Sequence, residues 1–287
     1  MAHILSIALL CLLFRVEAAG ESFAPANPEW NKAVEPFRIV GNVYYVGASG
    51  VSSFLITTPG GHILLDTGFR ETVPILKAGI AKLGFRFEDI RLLLISHAHY
   101  DHAGGIAEVK AATKGRLLAN PREAGLLARG GKKDFAFGDK FPFPPVVADG
   151  QFKDGEQVGL GGTLLTAHFT PGHTKGCTSY SARIREGNRL YEVVFPCSLT
   201  APGYRLAANT DYPEIVKDFE YSFAKLGSLP CDVFLGGHPW EFNMEAKRKL
   251  LGAGNDTNPF VDPDGYKHWL EKSRAAFQKQ LHTPPMR

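Results

Sequence analysis

The segment His97-Ala98-His99-Tyr100-Asp101-His102 holds four side chains that can bind a metal within six residues. Three imidazoles and a carboxylate make a mixed nitrogen–oxygen donor set of the kind that suits zinc. A lone histidine in a polar turn needs no function, but four donors at this spacing point to coordination. Two further histidines stand in similar settings, His173 in Phe169-Thr170-Pro171-Gly172-His173-Thr174 and His238 in Phe234-Leu235-Gly236-Gly237-His238-Pro239. Their glycines permit positive φ or a close approach of the backbone to a metal. Alone, each is as readily a turn histidine as a ligand. Beside the first cluster, both read as ligands.

Such groups need rigid elements behind them. The continuous apolar run 91–96 predicts a strand buried on both faces, with the histidine segment at its end. Residues 37–46, 51–58, 62–66, 117–119, 163–169, 178–184, 191–196 and 232–235 also read as strands, with a turn at 47–50. Helices are predicted over 71–83, where Pro74 falls in the tolerated first turn, and over 121–129, 211–226 and 266–281. The stretch 130–150 has no period. It reads as a long loop whose Phe135, Phe137, Phe141 and Phe143 either cover a substrate or anchor the loop to the body. Strands come in two runs, each followed by helices, which predicts two face-to-face sheets with helices outside in one α/β domain.

A hydrophobic content of 44% with 21% charged residues is globular, and a net charge of +3 with no basic cluster excludes nucleic acid as a partner. The apolar run 4–14 is too short to span a membrane. Followed by Val16-Glu17-Ala18, it predicts a signal peptide over 1–18 and a catalytic domain over 19–287. Cys11 follows Leu10 rather than a small residue, so no lipid anchor is expected. The expected product is a periplasmic monomer, free of the membrane after cleavage. Export permits disulfides, but Cys177, Cys197 and Cys231 are odd in number. Cys177 and Cys197 flank neighbouring predicted strands and can pair if their Cα atoms lie within about 7 Å, leaving Cys231 free.

The HxHxDH segment with two distant histidines resembles the metallo-β-lactamase superfamily over residues 37–281, and within it the third subclass of class B β-lactamases. The resemblance implies a four-layer αββα sandwich with two Zn2+ ions. His97, His99 and His173 would hold the first, and Asp101, His102 and His238 the second. It implies hydrolysis of a small β-lactam substrate (penicillins, cephalosporins, carbapenems) by a hydroxide that the metals share and Asp101 orients. Tyr204 would meet the oxyanion, Ser198 and Thr200 the substrate carboxylate, and Asp66 would support the zinc loop from behind. Three features depart from the pattern: Lys175 stands where proline is common, no cysteine near Gly265 can pair with Cys231, and Cys197 adjoins Ser198. A shift of one residue would make Cys197 a ligand of the second metal, but His102 already supplies the subclass's ligand. A thioesterase or lactonase is the alternative within enzymes, and a zinc-binding protein without catalysis the alternative outside them. Ser222-Phe223-Ala224-Lys225 matches a serine-lactamase pattern without its companion motifs and reads as chance. His168 reads as a hydrogen-bonded strand histidine, and His62, His268 and His282 receive no role.

Overall fold

The computed structural model describes residues 28–252 and 257–283, so the expected signal segment 1–18, with Cys11, lies outside the described residues. The first sheet follows chain order: β1 (Phe37–Val40), β2 (Val43–Tyr45), β3 (Phe54–Thr58), β4 (Gly61–Leu65), β5 (Ile90–Leu94), β6 (Arg116–Ala119) and β7 (Gly150–Gln151). Its first four strands are antiparallel, with two-residue turns between β1 and β2 and between β3 and β4, whereas β4 to β7 are parallel. Parallel neighbours require crossovers. Here these carry α1 (Val73–Lys82), then α2 (Tyr100–Ala103) with α3 (Ile106–Thr113), then α4 (Pro121–Ala128). The second sheet holds β8 (Gln157–Leu160), β9 (Thr163–Phe169), β10 (Thr178–Glu186), β11 (Arg189–Phe195) and β12 (Val233–Phe234), in the order β12-β11-β10-β9-β8. Helix α5 (Ile215–Gly227) joins β11 to β12, and α6 (Met244–Leu250) and α7 (Pro263–His282) follow.

Side chains alternate across a strand, and that alternation sorts the layers. Ile63, Leu65, Leu92 and Leu94 join Leu165, Tyr180 and Val193 of the second sheet in one core cluster. Their neighbours Leu64 and Leu93 pack instead with Leu76 and Ile80 of α1 and Ile106 and Val109 of α3. Beyond the second sheet, Phe219 of α5 and Trp269 and Phe277 of α7 complete the first cluster. The expected αββα sandwich is therefore present. Helix ends follow local chemistry. Asn120 caps α4 by accepting from the Arg122 N–H at 2.9 Å, and Asp262 caps α7 by accepting from the Gly265 N–H at 2.9 Å, each before a proline.

Several expectations need correction. Residues 37–46 form two strands, because Gly41-Asn42 turns the chain back. The helix expected from residue 211 starts at Ile215. Strand β8 and helices α3 and α6 are absent from the sequence reading. Each is at most eight residues long, where a period is hard to distinguish from chance.

Cys177 and Cys197 form a disulfide with Cα atoms 5.8 Å apart, and Cys231 is free and half-buried. For a closed loop of 20 residues, reduction should lower the unfolding free energy by about 3 kcal/mol. Denaturation with and without reductant measures this. In the unreduced denatured protein Cys177 and Cys197 should resist thiol reagents while Cys231 reacts, and reaction of all three would show that the bridge is absent.

Candidate metal centre

The donors stand at the ends of strands along one rim of the sandwich. β10 fixes the chain after β5 from the other sheet: the Tyr180 hydroxyl donates to the Ile95 carbonyl at 3.0 Å, and the Thr178 N–H to the Ser96 carbonyl at 2.9 Å. His97 and His99 then precede α2, a single turn carrying Asp101 and His102. His173 comes from the β9–β10 connection, where Gly172 has φ +138 and lies against the ring of Phe219. His238 follows β12, and a Cβ on Gly237 would lie 3.1 Å from His102 Cε1, so glycine lets these two histidine loops approach. The ligand atoms of His97, His99 and His173 lie within 4.8 Å of one another, as do those of His97, Asp101 and His102. His238 Nε2 is 3.9 Å from Asp101 Oδ2. All six expected donors thus meet at one place.

Hydrogen bonds settle which nitrogen each ring presents. Ser96 Oγ donates its one proton to Asp66 Oδ2 at 2.7 Å, so it accepts from His97 Nδ1 at 3.0 Å. His97 Nε2, buried with no partner, is left with its lone pair. His173 Nδ1 donates to the Thr200 carbonyl at 2.7 Å, His238 Nδ1 to the Gly50 carbonyl at 2.7 Å, and His102 Nδ1 to Asp66 Oδ2 at 3.3 Å. His99 is the exception: its buried Nε2 has no hydrogen bond and lies 3.6 Å from Asp134 Oδ2, while its Nδ1 faces His173. Tying the outer nitrogen fixes the tautomer and directs the inner lone pair, as metal-ligating histidines require. His99 Nδ1 and His173 Nε2 lie 3.1 Å apart. Beside that pair the buried lone pair of His97 Nε2 has no partner, and a cation held by the three rings would satisfy it, so the residues present fit zinc.

Electrostatics support the same split. Burial, with the neighbouring imidazoles, holds His97 well below the ordinary histidine range and lowers His173 to about 3, so both stay neutral. Burial also opposes charge on His102, but the Asp101 and Asp66 carboxylates outweigh it and raise the group to about 9. Burial opposes charge on Asp101 too, yet His102, His238 and His99 bring its carboxyl below the usual range.

Two carboxylates lock the loops from behind. Asp66, at φ +59, accepts from the Ser96 N–H at 2.7 Å as well as from the Ser96 hydroxyl. Glu123, buried in the first turn of α4, accepts from the Ala98 N–H at 2.6 Å, the Thr174 hydroxyl at 2.7 Å and the Gly176 N–H at 2.9 Å. It therefore joins the His97–His99 loop to the His173 loop. The sequence reading includes Asp66 but omits Glu123 and Asp134. An acid in a helix's first turn or in a polar loop has ordinary uses, and no local signal separates these two from that background.

Ser198 and Thr200 lie beside His173, their hydroxyls 2.9 Å apart, with Ser198 nearly buried and Thr200 exposed. Tyr204, expected to meet the oxyanion, is buried beside the site and its hydroxyl donates to the His173 carbonyl at 3.0 Å, bracing that loop. Cys197 is bridged to Cys177 and meets His97 at Nδ1, 3.6 Å away, on the side opposite the inward nitrogen. The 130–150 phenylalanines pack onto the body. Phe137 lies against His99 and Tyr204, Phe135 against Tyr204 and Tyr212, and Phe141 stacks on Tyr100. At the other side Trp240 stacks on His238 with ring centroids 4.4 Å apart, next to Trp30. His168 bonds Ser181 at 2.7 Å, and Ser222 is buried with its hydroxyl on the Pro171 carbonyl.

Comparison with known proteins agrees with this geometry. Residues 46–186 match the family model of the metallo-beta-lactamase superfamily. A metallo-beta-lactamase from Cronobacter sakazakii with a HARLDQ motif superposes with a TM-score of 0.85 at 44% identity, over 88% of this chain and 96% of that one. The chain belongs to the metallo-beta-lactamase superfamily. A subclass B3 metallo-beta-lactamase of Bradyrhizobium japonicum gives a TM-score of 0.83 at 40% identity, over 88% of this chain and 96% of that one. A hydroxyacylglutathione hydrolase of Rhodopseudomonas palustris is 36% identical over 110 residues, and the chain spans only 34% of its length. Against the HARLDQ of the Cronobacter member, this superfamily member reads HAHYDH, with histidine third and sixth.

Two outcomes follow. Glu123→Ala leaves two N–H groups and a hydroxyl without their acceptor. It should cost about 3 kcal/mol or more of stability and weaken zinc binding about 10–100-fold; unchanged zinc affinity in a chelator competition would remove its positioning role. In the metal-free protein His102, raised to about 9, is protonated at pH 7, and coordination through Nε2 requires its loss. Zinc uptake at pH 7 should thus release protons, with affinity rising as pH climbs toward 9. Calorimetry in buffers of different ionisation enthalpy measures this, and zero net release would contradict it.

Proposed function

We propose that this chain is a zinc-dependent β-lactamase that opens the amide ring of penicillins, cephalosporins and carbapenems, with two zinc ions at the centre. The observation that carries the reading is the complete six-donor cluster with the Ser198–Thr200 hydroxyl pair at its edge. Bound zinc would supply Lewis acidity and bring the pKa of water toward about 7. His97, His99 and His173 would hold one ion, and Asp101, His102 and His238 the other. Asp101 would also orient the attacking water and take up its proton, since its carboxylate lies between His102 and His238. The exposed Thr200 hydroxyl, backed by Ser198, would donate to the substrate carboxylate. Tyr204 would hold the His173 loop in place through that carbonyl. The segment 1–18 supports export to the periplasm, where such substrates arrive. Among the described residues no helix is long and apolar enough to cross a membrane.

Thioester hydrolysis is the second reading, favoured by hydroxyacylglutathione hydrolases such as those of Rhodopseudomonas palustris and Methylobacterium nodulans, each matched over only part of its length. The two separate by kcat/KM for a penicillin, a carbapenem and a thioester. The β-lactam should be preferred, and the Ser198→Ala, Thr200→Ala double variant should keep its zinc. It should lose about tenfold to a hundredfold on β-lactams, the cost of a hydrogen bond to a charged group. A thioester preference of orders of magnitude in the unsubstituted protein would overturn the proposal.

A further inference from the structure

Segment 199–203 has two neighbours. The Thr200 carbonyl holds His173, while the same segment walls a separate cavity of about 510 Å3. That volume falls in the range of small-molecule sites. Its floor is apolar and buried, formed by Phe234, Phe242, Trp269 and Phe277. Its two acids are already engaged. Glu241 accepts from the His238 N–H at 3.1 Å, and Asp262 pairs with Lys247 at 2.7 Å while capping α7. Lys272 and His268, one turn apart on α7, line the cavity, are exposed, and have no hydrogen-bond or ion-pair partner among the described residues. The walls are joined: the Gln280 amide donates to the Ala201 carbonyl at 2.7 Å and the Tyr204 carbonyl at 3.0 Å, fixing α7 to the 201–204 loop. Among the charged groups of the lining, Lys272 alone has no bonded partner among the described residues, and an unpaired ammonium beside an aromatic floor is complementary to an anion with an apolar body.

We propose that this cavity binds a small amphipathic organic anion, a carboxylate or sulfonate on an aromatic or aliphatic body, at a site distinct from the metal centre. Lys272 meets the anionic group and the aromatic floor takes the body. Trp240 and Thr200 border both sites, so an occupant also changes KM at the metal centre.

The test titrates the full chain, zinc-loaded and zinc-free, with 8-anilinonaphthalene-1-sulfonate, following probe fluorescence, and then displaces the probe with decanoate. Both forms should bind the probe with similar affinity and decanoate should compete. Lys272→Glu should weaken binding about tenfold or more, as loss of a contact to a charged group does. Ala276→Trp, on the exposed side of α7 where it lines the cavity, should fill the space and abolish binding while zinc content stays unchanged. Equal binding by wild type and both variants, or loss of the probe on zinc loading, would overturn the proposal. So would failure of decanoate to compete, or binding seen only after removal of residues 284–287, which would assign the cavity to the chain's own end.

Discussion

Asp66 sits where β4 ends, in a left-handed backbone conformation that few residues other than glycine tolerate. Its carboxylate takes the Ser96 N–H and hydroxyl just after β5, and His102 Nδ1 on α2. Three parts of the chain therefore meet on one side chain. Burying an ionised carboxylate is costly unless its oxygens are satisfied, and here both are. The Ser96 hydroxyl passes the order on to His97, whose Nε2 then faces inward. Glu123 does the same on the opposite side, linking the His97–His99 loop to the His173 loop. Without these two acids the strands would still form, but the imidazoles would have no reason to converge.

The rest of the fold serves that convergence. Parallel pairing of β4, β5 and β6 places the ends of these strands along one edge. The second sheet brings His173 from the β9–β10 connection and His238 from the end of β12 to the same edge. Packing of alternating leucines and isoleucines between the sheets fixes the distance between the loops, and Tyr180 fastens one sheet to the other beside the site. Catalytic groups on loops held by a rigid sandwich are then positioned by the core rather than by their own flexibility.

Much of this was legible from the residues. The four-donor segment, two glycine-flanked histidines and apolar runs carry strong local signals, so most strands lie within the segments the sequence marks, and the six donors meet where those strands end. Asp66 follows from its place at a strand end together with the family resemblance. What stays hidden is long-range. Glu123 is 25 residues from Ala98 and 53 from Gly176, so its partners cannot be read from neighbours. Tyr204 is hidden in the same way: its bond to the His173 carbonyl, 31 residues away, is visible only in the fold. Residues 37–46 show how a β-rich run conceals a turn, because Gly41-Asn42 reverses the chain without interrupting the apolar pattern on either side.

The central proposal is that three donor loops, held by two buried carboxylates, build one centre that takes two metal ions. Anomalous diffraction at the zinc edge from crystals of the zinc-loaded protein tests it most directly. Two peaks should appear about 3.5–4 Å apart, one within about 2.1 Å of His97 Nε2, His99 Nδ1 and His173 Nε2, the other at the same range from Asp101, His102 Nε2 and His238 Nε2. A single peak, or a peak bound by Cys197 in place of the second histidine pair, would contradict the account.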